Sequence, residues 1–211
     1  MPLDKQTREA ILKLKQTNAG KAKRIREDKR NSTEGIRRKL AVLDAQERAA
    51  ISALWQDGSR RHAAAVDKYS RHMFGIQPGD GDPIQAAKEL RACTERANAI
   101  NSVADAEQLA AAARRLGDTL LERAIFARAW DLCKTDLGAQ KWGGIVRSYL
   151  DRNPQVRPVA QQLGDLLDAD TAQARMQDQI ICGRSRAPEL SLLTDQEIDL
   201  IAAEETQGGA A

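Results

Sequence analysis

The chain has 211 residues, with 33 Lys and Arg against 30 Asp and Glu for a formal net charge of +3. It is 42% hydrophobic but only 3% aromatic, and 30% charged. That balance suits long helices and badly suits a sheet protein built on Val, Ile, Thr and aromatic side chains, so the expected fold class is all-α. Uncharged apolar runs fall far short of the roughly 20 residues that span a bilayer, and Met1-Pro2-Leu3-Asp4-Lys5 lacks the apolar stretch of a signal peptide; neither secretion nor a membrane partner is expected.

The small net charge hides a gradient. Residues 1–75 carry 18 Lys/Arg against 9 Asp/Glu, residues 76–175 carry 13 against 14, and residues 176–211 carry 2 against 7. The expected organisation is a long basic helical arm (1–75), a linker (76–82), a compact helical body (83–182) and an extended acidic tail (183–211) with a short helix over 194–205, the ends serving different partners.

Residues 4–74 contain no proline, and Ile11, Leu14, Ile25, Ile36, Leu40, Leu43, Ile51 and Leu54 recur near a 3/4 spacing, which predicts one long helix or two in line. The apolar stripe is thin between Lys15 and Arg38, and Gly20, Gly35 and Gly58 each cost about 1 kcal/mol against alanine in a helix interior. The expectation is a helix with breaks, held partly by partners.

Three glycines and a proline between Gly75 and Asp82 mark a loop. Asp82 before Pro83 is an N-cap followed by proline at the first helical position, opening a helix that carries Ile84, Ala87, Leu90, Ala97 and Ile100. Ser102 with Asp105 resembles a capping box; the helix after it stops at Gly117, and Asp118 caps the next, so the two make an antiparallel hairpin. A further body helix of about 14 residues, with Trp142, Ile145, Val146, Tyr149 and Leu150, ends at Asn153-Pro154, because a residue before proline avoids helical geometry. Another starts near Pro158 and runs towards Ile180. From Gly183 to Leu192 the chain should be extended. Thr194 and Glu197 then form a capping box, with Leu193 and Ile198 as its hydrophobic staple, and the short helix with Ile198 and Ile201 on one side reads as a docking peptide.

Motifs that carry chemistry are missing: no phosphate-binding loop, no dinucleotide fingerprint, no H-E-x-x-H and no G-x-S-x-G occur. His62 and His72 are ten residues apart beside Arg60, Arg61 and Arg71, a spacing and a charge that disfavour a metal. Asp80-Gly81-Asp82 lacks the rest of a calcium loop and reads as a turn. Cys93, Cys133 and Cys182 are far apart without a CxxC pair, as expected of reduced, buried thiols. Neither a catalytic residue nor a cofactor nor a metal site is expected. The basic run from Lys21 to Lys39 offers Lys23, Arg24, Arg26, Lys29 and Arg30 as candidate contacts to phosphate. Glu27, Asp28 and Glu34 interrupt it and no aromatic residue interleaves to stack bases, so a solvated helix face remains the other reading. Trp130 and Trp142 read as core and Trp55 as an interface residue or a buried anchor; Trp55, Leu193, Ile198 and Ile201 complete the candidate interaction residues.

Within Leu109 to Pro154, the stretches Ala111-Ala112-Ala113-Arg114-Arg115-Leu116-Gly117-Asp118, Leu121-Glu122-Arg123-Ala124-Ile125-Phe126-Ala127-Arg128-Ala129 and Ser148-Tyr149-Leu150-Asp151-Arg152-Asn153-Pro154 resemble helical virion-assembly proteins of tailed phages of actinobacteria. The resemblance implies a head, connector or scaffold component that forms a homo-oligomer with other virion proteins as partners, in the virion or the host cytoplasm, and it carries no catalytic residues to transfer. The same hairpin is similar to a tetratricopeptide unit, but the alanines after Gly117-Asp118 fall two positions late and no second copy follows at a 34-residue period. The expected function is a non-enzymatic structural assembly protein; the alternative is a nucleic-acid-binding or regulatory protein using the basic segment.

Overall fold

A computed structural model describes residues 3–208, and among them the regular elements are helices with no strand. They run α1 (Lys5–Glu27), α2 (Thr33–Phe74), α3 (Pro83–Asn98), α4 (Val103–Leu116), α5 (Thr119–Leu132), α6 (Asp136–Arg152), α7 (Arg157–Asp168), α8 (Ala172–Cys182), a single 3-10 turn at Pro188–Leu190, and α9 (Asp195–Gly208). Contacts divide the chain into two units, one of residues up to Ala64 with those from Ala169 onward, the other Ala65–Asp168. This cut differs from the arm, body and tail division drawn from composition.

In the first unit the arm is not straight. α1 and the first part of α2 lie antiparallel, so that the Asn18 side-chain amide donates to Glu47 at 2.9 Å and Arg61 reaches Asp4 at 3.2 Å. The fold-back is made by short polar side chains that compete with the helical backbone. Asp28 leaves helical geometry (φ −74°, ψ 100°), the Asn31 amide donates to the Ile25 carbonyl at 2.9 Å, and Ser32 Oγ accepts from the Gly35 amide at 3.0 Å to start α2. The glycines are not the breaks; Gly20, Gly35 and Gly58 all stay helical. Gly58 has a packing reason, since a Cβ there would stand 2.9 Å from Thr7 Oγ1, so its bare backbone lets the start of α1 approach.

The tail, described from Gly183 to Gly208, is not extended on a tether, as the sequence suggested, but returns to this hairpin. Leu190 and Ile198, both fully buried, form a cluster with Leu40, Ala41 and Ala202, and Ile25, Ile36, Leu193 and Ile201 pack around it. The thin stripe of the arm is thus covered by the tail, each fully buried Leu or Ile contributing about 1.5–3 kcal/mol. The capping box at the start of α9 is complete: Thr194 N donates to Glu197 Oε2 at 2.7 Å and Glu197 N to Thr194 Oγ1 at 3.3 Å. α8 docks on α1 through Asp178, which is fully buried and accepts from the Leu3 amide at 2.7 Å and from Arg8 Nε at 2.6 Å.

In the second unit α5 is the central helix, with Leu120, Leu121, Ala124, Ile125, Phe126 and Ala129 all buried, and α3, α4 and α6 pack around it. A helix apolar on most sides belongs in the middle of a bundle. Buried alanines 97, 106, 110, 113, 124 and 129 let its neighbours come close. Gly117 stops α4 at φ 68°, a left-handed geometry glycine adopts without strain, and Asp118 Oδ1 accepts from the Leu121 amide at 2.9 Å to start α5. Phe126 stacks on Tyr149 with ring centres 4.2 Å apart and meets Trp130 edge-on, within a cluster that takes in Met73 and Leu163. Trp142 is buried against α5.

Two boundaries differ from expectation. α6 starts earlier than its apolar pattern, because Thr135 Oγ1 accepts from the Gly138 amide at 3.1 Å and sets the N-terminus there. The helix expected from Pro158 towards Ile180 is two helices, since Thr171 Oγ1 accepts from the Ala174 amide at 3.0 Å and caps a new start; α7 belongs to the second unit and α8 to the first.

Candidate functional site

The basic run spreads over the α1–α2 turn, and its five candidate residues have different fates. Arg26 is held in a two-pronged pair with Glu189, at 2.6 and 2.9 Å, which fixes the tail against α1. That guanidinium holds the Glu189 carboxyl at about 2, against an ordinary 4.5. Arg30 pairs with Asp28 at 2.9 and 3.1 Å within the turn, and Lys23 faces Glu27 at 3.7 Å on the surface. Arg24 and Lys29 are exposed, and among the described residues neither has a carboxylate partner.

Where the tail crosses the hairpin, cations and carboxylates interlock. Arg184 donates to Asp44 at 2.6 Å and to Asp195; Arg186 donates to Asp195 and to the Leu193 carbonyl at 2.5 Å; Arg48 joins Asp44, at 3.2 Å, to Asp199. A groove of about 280 Å³ on this side is lined by Lys15, Arg26 and Arg186 together with Asp44 and Glu47, so its charges are answered within the unit.

A second groove of about 360 Å³, also between α1 and α2, has no such balance. Lys21, Arg24, Lys39 and Gln46 line it together with the apolar Ile25, Val42 and Leu43, and no acidic side chain lines it. Lys39 Nζ donates to Asn31 Oδ1 at 2.6 Å, while Lys21 and Arg24 have no carboxylate partner among the described residues. Three cations over an apolar floor recognise an anionic surface that also carries an apolar side chain. Of the five cations offered from sequence as candidate phosphate contacts only Arg24 lines this groove. Lys21 and Lys39 lay at the ends of the same run, but only the fold-back of α2 puts them side by side.

The apolar candidates lie mostly inside the first unit. Ile198 is fully buried, and Leu193 and Ile201 are half-buried in the same cluster, so these three hold the tail to the hairpin. Trp55 is half-buried, packing beside Ile51 and lining a groove with Arg48, Cys182 and Arg184. The outward apolar side chains of this region are instead Leu192, 97% exposed, and Leu200, 65% exposed.

The chemistry-bearing side chains do not converge. His62 is half-buried and His72 exposed on α2, and among the described residues no group of three or more His, Cys, Asp or Glu could hold a metal ion. Burial pushes the Cys93, Cys133 and Cys182 thiols up from their ordinary value, which leaves them less thiolate. Sequence reasoning missed the most buried ion pair, in the second unit: Arg123 on α5 donates to Asp80 at 2.6 and 3.2 Å and to the Gly75 carbonyl at 2.9 Å, and the Gln77 amide donates to Asp80 at 2.6 Å. The Arg123 hydrogen bonds hold the Asp80 carboxyl below its ordinary value against the opposing effect of burial. The pair pins the 75–82 loop and is structural. Its one sequence signal was an arginine at the i+3 and i−3 positions of Leu120 and Phe126, on the buried side of α5.

Fold and surface together define an all-α chain with a cationic, apolar-floored groove. No family model, curated protein or solved structure matches it, and among the described residues no helix is long and apolar enough to cross a membrane.

Proposed function

We propose that this chain is a structural assembly protein, working by binding other macromolecules, with the virion of a tailed phage as the setting its α4–α6 segment resembles. The observation that carries this reading is the open groove of Lys21, Arg24 and Lys39 over Ile25, Val42 and Leu43, whose positive charge nothing in its lining answers. Its shape and chemistry suit an amphipathic segment laid between two helices. The partners are further copies of the chain and other virion proteins, and the role needs no catalytic residue or cofactor. Light scattering over a concentration series tests it: mass should rise with concentration at low salt, and a chain that stays monomeric from micromolar to millimolar concentration contradicts it.

A further inference from the structure

The groove has a counterpart on the same molecule. α9 carries Asp195, Glu197, Asp199, Glu204 and Glu205 and no Lys or Arg along its 14 residues. Its inner side, Ile198 and Ala202, is buried against α2. Its outer side presents Leu200, 65% exposed, with Glu197 three residues before it and Glu204 four residues after, both exposed. At i−3 and i+4 the two carboxylates flank the leucine on one helical face. Cations above an apolar floor on one surface and carboxylates around an apolar side chain on another are complementary in charge and in hydropathy.

A chain cannot satisfy its own groove with its own α9. On α2, Ala41 packs with Ile198 and Arg48 pairs with Asp199, so these residues mark the side that α9 covers. Lys39 and Gln46, which line the groove, each stand two residues earlier, and at about 100° per residue that places them about 200° round the helix. The groove's cations and the buried side of α9 therefore lie on opposite faces of α2, with Ile25 and Val42 between them. Surfaces that are complementary but point apart join copies head to tail, closing into a ring or extending as a filament according to the rotation per step.

We propose that the outer face of α9 of one copy docks in the Lys21, Arg24 and Lys39 groove of the next, Leu200 entering between Ile25 and Val42 and Glu204 meeting the cations. This rests on the assembly reading above and gives it a contact. At 1.5 Å per residue α9 spans about 21 Å, so one such contact is small, and the association is salt-sensitive and steeply concentration-dependent.

The test is a charge exchange on the full chain, read by sedimentation velocity at low salt. One variant reverses the groove (Lys21→Glu, Arg24→Glu, Lys39→Glu) and a second reverses the helix (Glu204→Lys, Gln207→Lys); these side chains are exposed, and circular dichroism checks that each variant remains helical. Each alone should associate at least about tenfold more weakly than wild type, and mixing the two should restore association, because every groove then meets a helix of opposite charge. Leu200→Glu, which leaves the cations untouched, should weaken wild-type association similarly. A wild-type chain that is monomeric throughout removes the assembly reading itself. Oligomers that all three variants form as well as wild type, or a mixture that fails to recover, overturn the docking alone. Duplex DNA binding that is lost with the groove variant and kept by the helix variant, without change in self-association, assigns the groove to nucleic acid and overturns the proposal.

Discussion

Replacing Asp80 by alanine tests whether the 75–82 loop is held by a dry ion pair. The Arg123 and Asp80 side chains are 9% and 5% exposed, so the guanidinium that remains has little access to water. It would keep the Gly75 carbonyl, with the Tyr149 hydroxyl beside it, but lose acceptors at 2.6 and 3.2 Å, and the Gln77 amide would lose one at 2.6 Å. Removing one partner of a buried pair costs about 3–5 kcal/mol, because an uncompensated charge stays behind. Glu9→Ala is the control: its partner Lys5 is 3.9 Å away and both are well exposed, so the loss is about 0.3 kcal/mol. Urea unfolding, with far-ultraviolet circular dichroism for helix and tryptophan fluorescence for the region of Trp130 and Trp142, gives both values. Adding Arg123→Met to Asp80→Ala should recover most of the loss, since an apolar side chain of similar length is not penalised by burial. A cost below about 1 kcal/mol for Asp80→Ala would refute the claim that the pair is dry. The pH dependence follows from the lowered Asp80 pKa: its contribution is complete above the ordinary carboxylate range and is lost as pH falls through the depressed folded value.

Gly20→Ala, where a Cβ meets nothing within 4 Å, should raise stability by about 1 kcal/mol, whereas Gly58→Leu, crowding Thr7 and Leu3, should lower it by about 1–3 kcal/mol; thermal melts separate the two. Ile198→Ala should cost about 2–5 kcal/mol and free the tail, so limited proteolysis should cut near residues 184–187 much faster than in wild type. Glu189, held at about 2 by Arg26, contributes stability that is fully present above pH 4.5 and is lost as the pH falls towards 2; Glu189→Gln should remove that part of the acid transition.

Local rules were legible in the sequence wherever one side chain decides the outcome. Asp82, Ser102, Asp118 and Thr194 cap helices as their spacing required, and Gly117 ends α4. The all-α class followed from composition. What could not be read was which distant surfaces meet. The stripe that includes Ile25 and Ile36 is thin in the sequence, and its cover, Leu190 and Ile198, lies about 160 residues on; a 3/4 period carries no record of its partner. The turn at Asn31-Ser32 carries neither glycine nor proline, and side chains that bond their own backbone leave no mark in a hydrophobic period. For the candidate site, charge counting marks a basic stretch but not which of its cations stay unpaired: Arg26 and Arg30 pair with Glu189 and Asp28, while Lys21 and Lys39 become neighbours only through the fold-back. On α9 the staple pattern marks Ile198 and Ile201, which pack inward, and carries no sign that Leu200 is the exposed side chain.

Assembly through copy-to-copy contact is tested most directly by carbodiimide cross-linking of an equal mixture of ¹⁴N- and ¹⁵N-labelled chains, followed by peptide mass spectrometry. Lys39 or Lys21 should be joined to Glu204 in mixed-isotope pairs, with the link disappearing at high salt. A Lys39–Glu204 link found solely in same-isotope pairs, or no inter-chain link to α9 at concentrations where oligomers form, would contradict it.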